Sequence, residues 1–476
     1  MCLVEIGAEE RGKAHSNEIT SIDDQISLLP QIENAEIEEK RKVDHLSSSI
    51  NEIMDEMFED LDKSSIKSRS IFKVNVRLRE SNSDAYTPKM VSIGPYHKKN
   101  PQLDPMEMYK LLYLRRFLQR KKLDVKSCIS ELQKLKEEAL KCYDVIEELG
   151  NDSQFCQMLL LDGCFVVEFI RERCEMCPKG EDKIININDN YIFRDLMLLE
   201  NQLPFFVLNQ LHDMTKQDDE LPLAILVNKV FTFFVNWPKM TFESFGKIEC
   251  NAENIKHLLH VVHIFSCHGQ NPMKKSNDNK KRHMIMPNAT ELSEAGVSFA
   301  KIGNINRNKD NISDMTSLFD IKFENGLMTI PCFQVEDNTE TLLRNLIAYE
   351  QQSSDVQPKY FSDYATFMDY LIDSDKDVNL LRRKGSIENW MGEDKEVASI
   401  FNKIGNGVGV DPNNFYYNEE CLKAIQHCEK PWNRMKANLK HNYFNSPWAA
   451  ASTVAAIILL ILTTIQTILA ITSAVK

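Results

Sequence analysis

The fold class predicted for this 476-residue chain is mainly α: a large helical domain with a small β hairpin, plus one C-terminal transmembrane helix. Three observations predict it. Apolar residues recur at helical spacing from about Ile71 to Phe444. One stretch, Ser317–Glu336, instead carries β-type residues on both sides of Asn325-Gly326, a hairpin dipeptide. From Trp448 to Val475 there are 28 residues without a charge.

In chain order, residues 1–65 hold 17 acidic against 6 basic residues, so most of the net charge of −13 sits there. Such a segment buries too little apolar surface to offset its ordering entropy, and it reads as an acidic, largely disordered tail. A short helix is expected around Ile50 to Leu61, with Ile53, Met54, Met57 and Phe58 on one face. The start, MCLVEIGAEE, has no basic stretch leading into an apolar one, so no secretory signal is expected.

Residues 66–446 read as the helical domain. Asp104-Pro105-Met106-Glu107 is a helix start, with an acidic cap, proline at the first helical position and glutamate three residues after the cap. Met108, Leu111, Leu112, Leu114 and Leu118 then supply its expected core face. Further helices are predicted at 129–149, 154–175, 192–212, 221–235 and 252–265. After a polar loop at 269–288 they resume at 290–300, 339–353, 361–373, 386–404, 413–428 and 432–445. Pro204 falls inside the 192–212 pattern, so a kink is expected there, with Glu200, Asn201 and Gln202 satisfying the freed backbone groups.

Residues 447–476 form the expected membrane anchor. About 20 apolar residues span a bilayer core, and threonine hydroxyls in the segment can return to the preceding turn. Lys430, Arg434, Lys436 and Lys440 precede it and only Lys476 follows, which places the bulk of the chain in the cytosol. The expectation is a single-pass, tail-anchored protein of a plasma membrane or endomembrane, contacting lipid through residues 448–475.

Candidate sites are sparse. The absence of a basic patch or a zinc-finger spacing argues against a nucleic-acid partner. No G-x-S-x-G elbow, phosphate loop or dinucleotide fingerprint occurs, and no cofactor is expected. Were the chain an enzyme, the candidates are His97 in an exposed Tyr96-His97 loop, and Asp162, Asp195 and Glu200, with Glu168 as a further neighbour. His260, His263 and Cys267 share a helical face beside His257 and are the candidate metal ligands, although no acidic residue adjoins them in sequence. Cys174-x-x-Cys177 lacks a matching second pair. Asp373-x-Asp375-x-Asp377 imitates a calcium loop, but Val378 and Lys384 replace its required Gly and Glu, so a capped helix boundary is expected instead. Asn151, Asn288 and Asn311 begin glycosylation sequons that the cytosolic orientation leaves unused.

Several stretches, in order, resemble the plant DUF247 family, also called UPF0481. They are Tyr86-Thr87-Pro88 with Val91 to His97, Met158 to Phe165, and Asp195 to Phe205. Ala295-Gly296-Val297, Ile330-Pro331, Arg344 to Gln351, Tyr443-Phe444 and Pro447-Trp448 follow. Val74-Asn75 departs from the family's usual Val-Pro. The resemblance implies a single-pass membrane protein of land plants with a mostly helical cytosolic domain, some members being candidate recognition determinants at grass self-incompatibility loci. It brings no established catalytic residues. The function expected is therefore an interaction, recognition or signalling module with a protein partner. The alternative is a membrane-attached enzyme with an inter-helical active site for a hydrophobic substrate.

Overall fold

The computed structural model describes residues 50–55, 69–144, 146, 151–174, 189–234, 254–268, 270, 285–302, 317–443 and 447–474. The chain divides into two units, Met1–Lys67 and Ser68–Lys476. In the first, residues 50–55 are helical, as their spacing predicts, and the rest lies outside the described residues.

Among its described residues the second unit is mainly helical, with five short strands. After a one-turn helix α1 (Val76–Arg79), the first long helices are α2 (Pro105–Arg120) and α3 (Val125–Lys141). Both pack on α4 (Asp152–Arg173), which is buried along almost its whole length and forms the centre of this half. Asn151 opens α4 with a capping box: its side chain accepts from the Gln154 N–H, and Gln154 returns to the Asn151 N–H. Asn288 opens a later helix in the same way with Glu291. Two of the three sequon asparagines are thus helix caps; Asn311 lies outside the described residues.

The core face of α2 differs from the expectation. Met108, Leu111 and Leu112 are exposed, and the buried positions are Met106, Lys110, Tyr113 and Phe117. The reason is Lys110, whose ammonium is drawn inward by the Asp162 carboxylate (2.7 Å) and the Ser92 carbonyl (2.6 Å). An inward lysine rotates the helix by about one position relative to its leucine stripe. Asp104 precedes the helix as expected but makes no side-chain cap bond.

The predicted helix 192–212 is two helices. α5 (Asp189–Leu196) ends before the Leu-Leu-Glu-Asn-Gln-Leu segment, and Pro204 is the residue from which α6 (Phe205–Thr215) starts. Pro204 therefore separates two helices and does not kink one. α7 (Leu223–Phe234) and α8 (Leu258–Cys267) follow and pack on each other. The polar loop expected at 269–288 lies mostly outside the described residues.

The hairpin forms as predicted. β2 (Lys322–Glu324) and β3 (Leu327–Pro331) pair antiparallel across Asn325-Gly326, whose φ angles of 51° and 81° suit the twist of a two-residue turn. The predicted helix 290–300 stops earlier: α9 (Ala289–Glu294) gives way to β1 (Ser298–Ile302), which pairs parallel with β3. A second parallel pair joins β4 (Phe333–Val335) to β5 (Ile387–Asn389), so the helix expected at 386–404 begins only after that strand.

The second half of the domain comprises α10 (Thr339–Gln352), α11 (Tyr360–Leu371), α12 (Asp375–Arg383), α13 (Asp394–Ile404), α14 (Asn418–Glu429) and α15 (Pro431–Tyr443). The calcium-loop imitation is a cap. Asp377 accepts from the Ser374 N–H (2.9 Å) and Thr290 N–H (2.8 Å), holding α12 to α9.

Among the described residues, two helices are long and apolar enough to cross a membrane. One is α4, where 78% of the apolar window is buried inside the protein; the other is α16 (Pro447–Ala474), where 0% is. In α16 the hydroxyls of Thr464, Thr467 and Thr472 donate to the carbonyls of Leu460, Thr463 and Ile468, one turn back.

The phase of α2 makes a direct test. Phe117→Ala is expected to lower unfolding free energy by about 3–5 kcal/mol in chemical denaturation. Leu111→Ser, on the outward stripe, is expected to change it by about 0.5 kcal/mol or less.

Candidate functional site

The polar residues singled out in the sequence gather around one piece of backbone. Residues 87–97 join no helix or strand, run beside α5 and α4, and are buried at Val91–Gly94. Their peptide groups have no ladder to enter, and unpaired buried N–H and C=O groups cost about 1–3 kcal/mol each. Side chains from three other segments take those bonds.

Asp195, on α5, accepts from three successive amides: Lys89 (2.9 Å), Met90 (2.6 Å) and Val91 (3.0 Å). Asn201 accepts from the Ile93 N–H (2.7 Å) and donates to the Val91 carbonyl (3.0 Å). Asp162 accepts from the Gly94 N–H (3.0 Å) while pairing with Lys110. Gln202 holds the non-helical turn it belongs to, donating to the carbonyls of Leu196 and Leu198, and accepts from the Leu259 N–H. Asn345, in the middle of α10, accepts from the Leu199 N–H (2.9 Å) and donates to the Ala85 carbonyl (2.8 Å).

Glu200 accepts from the Val74 N–H (2.5 Å), pairs with Arg79, and lies 3.3 Å from His97 Nε2. Burial pushes its carboxyl up, but His97, the Val74 amide and Arg79 together outweigh that and hold it below the usual range. Burial raises Asp195, partly opposed by its three amides. Burial disfavours the Lys110 ammonium too, yet Asp162 and Glu107 keep it charged and raise its pKa.

Of the four candidate catalytic residues, only His97 and Glu200 therefore face one another. Asp162 and Asp195 reach the same chain segment at separate points and as acceptors of backbone bonds. Tyr96 and His97 do not stand in an exposed loop. The Tyr96 hydroxyl donates to the Ile71 carbonyl and accepts from the Asp144 N–H, pinning the domain's entry segment. Asn75, at the position where the resembling family usually carries proline, uses the amide a proline lacks to donate to Gln352 Oε1 (2.9 Å).

Glu168 belongs to a separate buried network. Arg171, fully buried, donates to Glu168 (2.9 Å), Glu220 (2.6 Å) and Thr215 (2.8 Å), and lies 3.1 Å from His212 Nδ1; Arg120 joins from α2. Burial and the Arg171 charge depress His212 to about 4.

The histidine-cysteine face of α8 brings His263 and Cys267 together, while His260 bonds elsewhere. His257 caps the helix, accepting from the His260 N–H; His260 Nδ1 accepts from the Lys256 N–H (3.1 Å). Burial, then the neighbouring His263 and Lys256, depresses His260 to about 3. His263 Nε2 lies 2.9 Å from Glu350 Oε1 and 3.7 Å from Cys267 Sγ. A thiol-imidazole-carboxylate relay needs one partner on each ring nitrogen, and here both meet the same one. Burial also pushes the Cys267 thiol well up. Among the described residues, no three or more His, Cys, Asp or Glu side chains are arranged to hold a metal ion. Cys174 donates to the Leu226 carbonyl and is pushed up to about 12 by burial; Cys177 lies outside the described residues.

Sequence reading missed Lys110, Asn345 and the Arg171–Glu220 pair. Lys110, Arg171 and Asn345 carried a signal, a charged or amide residue set inside an otherwise apolar helical stripe; Glu220, in a polar loop, carried none.

Two outcomes follow from this geometry. At Gly94, with φ of 76°, an added Cβ would meet the Gln202 carbonyl oxygen at 2.6 Å, whereas at Gly392, with φ of 117°, it meets nothing within 4 Å. Gly94→Ala is expected to destabilise by about 3 kcal/mol and Gly392→Ala by roughly 1, read from denaturation midpoints. Asp363, whose carboxylate accepts from the Tyr416 N–H, is pushed up to about 7 by burial and by nearby Glu350. The folded state then holds a proton that the unfolded one has released, so this stabilisation is lost as pH rises towards 7. Asp363→Asn is expected to gain roughly 3 kcal/mol on the native protein between pH 5 and pH 8 in urea titrations.

Comparison with known proteins places this architecture. Residues 71–462 match the DUF247 family, described as "Plant protein of unknown function". The chain is 28% identical to UPF0481 protein At3g47200 of Arabidopsis thaliana, over 87% of this chain and 88% of that one. It is 25% identical to Putative UPF0481 protein At3g02645 of the same plant, over 92% and 96%. No solved structure matches it. The side chains bonding residues 87–97, the hairpin and the apolar helix all fall in the matched region or at its edge, and the chain belongs to the DUF247 (UPF0481) family of plant proteins.

Proposed function

We propose that the chain is a single-pass membrane protein that displays its helical domain to protein partners on the cytosolic side of a plasma membrane or endomembrane, as an interaction, recognition or signalling module. The observation that carries this reading is α16: its apolar window has a mean hydropathy of 2.6 and none of it is covered by the rest of the protein. An uncovered apolar helix of this length is far larger than the patches soluble monomers tolerate, and lipid is the solvent that suits it. The returned threonine bonds support the same reading, because polar groups in hydrocarbon must be satisfied internally. Four basic residues ahead of the helix favour the cytosolic side for the domain. Display on a surface concentrates the domain for partners held in the same plane.

A membrane-attached enzyme acting on a hydrophobic substrate would need carboxylates free to exchange protons. Asp162 and Asp195 are engaged by backbone amides and Lys110, which favours display.

Alkaline carbonate extraction of membranes is expected to leave the full chain in the pellet and to release a chain lacking residues 447–476. Affinity purification of both forms then separates binder from bare tether. A specific binder keeps its soluble partners after truncation, and a tether loses them all.

A further inference from the structure

We infer that α15 is a second, reversible membrane contact: it lies along the bilayer surface and is held there by anionic phospholipid headgroups. This rests on the reading that α16 enters a bilayer.

Three observations meet in the helix. The first is an apolar stripe on the outside of the protein. Trp432 is 72% exposed, Met435 53% and Leu439 49%. At 100° per residue these three fall within roughly 60° of arc. The opposite face is occupied: Asn433 and Ala437 are half-buried, the Asn433 amide donates to the His427 carbonyl at the end of α14 (2.8 Å), and the helix packs on α9 and α14. The stripe therefore points away from the domain by construction.

The second observation is charge. Lys430, Arg434, Lys436 and Lys440 are all exposed, and no acidic residue occurs from Lys430 to Lys476. An exposed indole and two aliphatic side chains flanked by basic ones make the composition of a helix that sits at the headgroup boundary, apolar face down and basic side chains reaching phosphate.

The third is position. Only residues 444–446 separate the last residue of α15 from Pro447, where the apolar helix begins. If that helix enters the hydrocarbon, α15 cannot be more than a few residues from the headgroups. A 13-residue helix is about 20 Å long, enough to lie flat as a platform. Because α15 also packs on α9 and α14, laying it on the surface fixes which face of the domain turns to the membrane. Each basic side chain near an anionic surface contributes about a fivefold gain in partitioning, so the contact follows lipid charge and ionic strength.

The test uses the full chain in lipid nanodiscs of phosphatidylcholine, with and without phosphatidylserine, followed by amide hydrogen exchange over residues 432–442. Phosphatidylserine is expected to slow exchange there severalfold, and high salt to reverse the effect. The combined variant Arg434→Gln, Lys436→Gln, Lys440→Gln is expected to remove the lipid dependence while α16 stays protected. Met435→Ser with Leu439→Ser is expected to weaken protection in both lipids. Equal exchange of the native chain in the two lipids, with α16 still resistant to carbonate, overturns this inference and leaves the membrane span standing. A native chain that carbonate strips from the membrane overturns both.

Discussion

Everything in the first half of the domain depends on one requirement: a stretch of irregular backbone runs through the interior, and its peptide groups must be bonded there. Residues 87–97 have no neighbouring strand, so Asp195, Asn201 and Asp162 serve in its place. The consequence spreads outward. Asp162 recruits Lys110, and Lys110 sets the rotation of α2. Asn201 and Gln202 have to stay off any helix to reach their partners, which is why α5 and α6 are separate and Pro204 stands at the start of the second. A run of residues that looks like a cluster of catalytic acids is the frame on which the helices are hung.

Such a frame is a demanding way to build a core. Each carboxylate removed from water loses solvation that only well-placed donors restore, and removing one partner leaves the other buried and unsatisfied. What it provides is specificity: a leucine core tolerates many packings, whereas three successive amides on one carboxylate allow a single path for the chain. The Arg171 network does the same for α2, α4 and α6, with one guanidinium bridging Glu168, Glu220 and Thr215. The polar residues of this family's segments are thus explained by architecture before any activity is invoked.

How much of this was legible in the sequence depends on range. Local chemistry could be read: the Asn325-Gly326 turn, the Asp377 cap in place of a calcium loop, and the long charge-free helix all follow from a few adjacent residues. Periodicity located most helices, but it failed where a long-range partner overrode it. Lys110 counts as an outward residue until Asp162, 52 positions away, is placed beside it. The strands β1 and β5 fall within helical patterns because their partners, β3 and β4, are remote in sequence. The candidate acids stand out in the sequence as charges within apolar stretches. Their roles were not readable, since a carboxylate bound to amides and one poised for proton transfer have the same letter and differ only in what lies across from them.

The central helix α4 carries a further consequence for how the protein is made. By length and apolarity it passes the same criterion as α16, and during synthesis it exists before the rest of the core that will cover it. What distinguishes it is its ionic content: Asp162 near its middle, and Glu168, Arg171 and Glu172 towards its end. On translocon scales one such residue at mid-helix opposes insertion by about 2.5–3.5 kcal/mol. The charges buried in the folded interior therefore also set α4 apart from the uncharged α16, because they oppose its transfer to lipid.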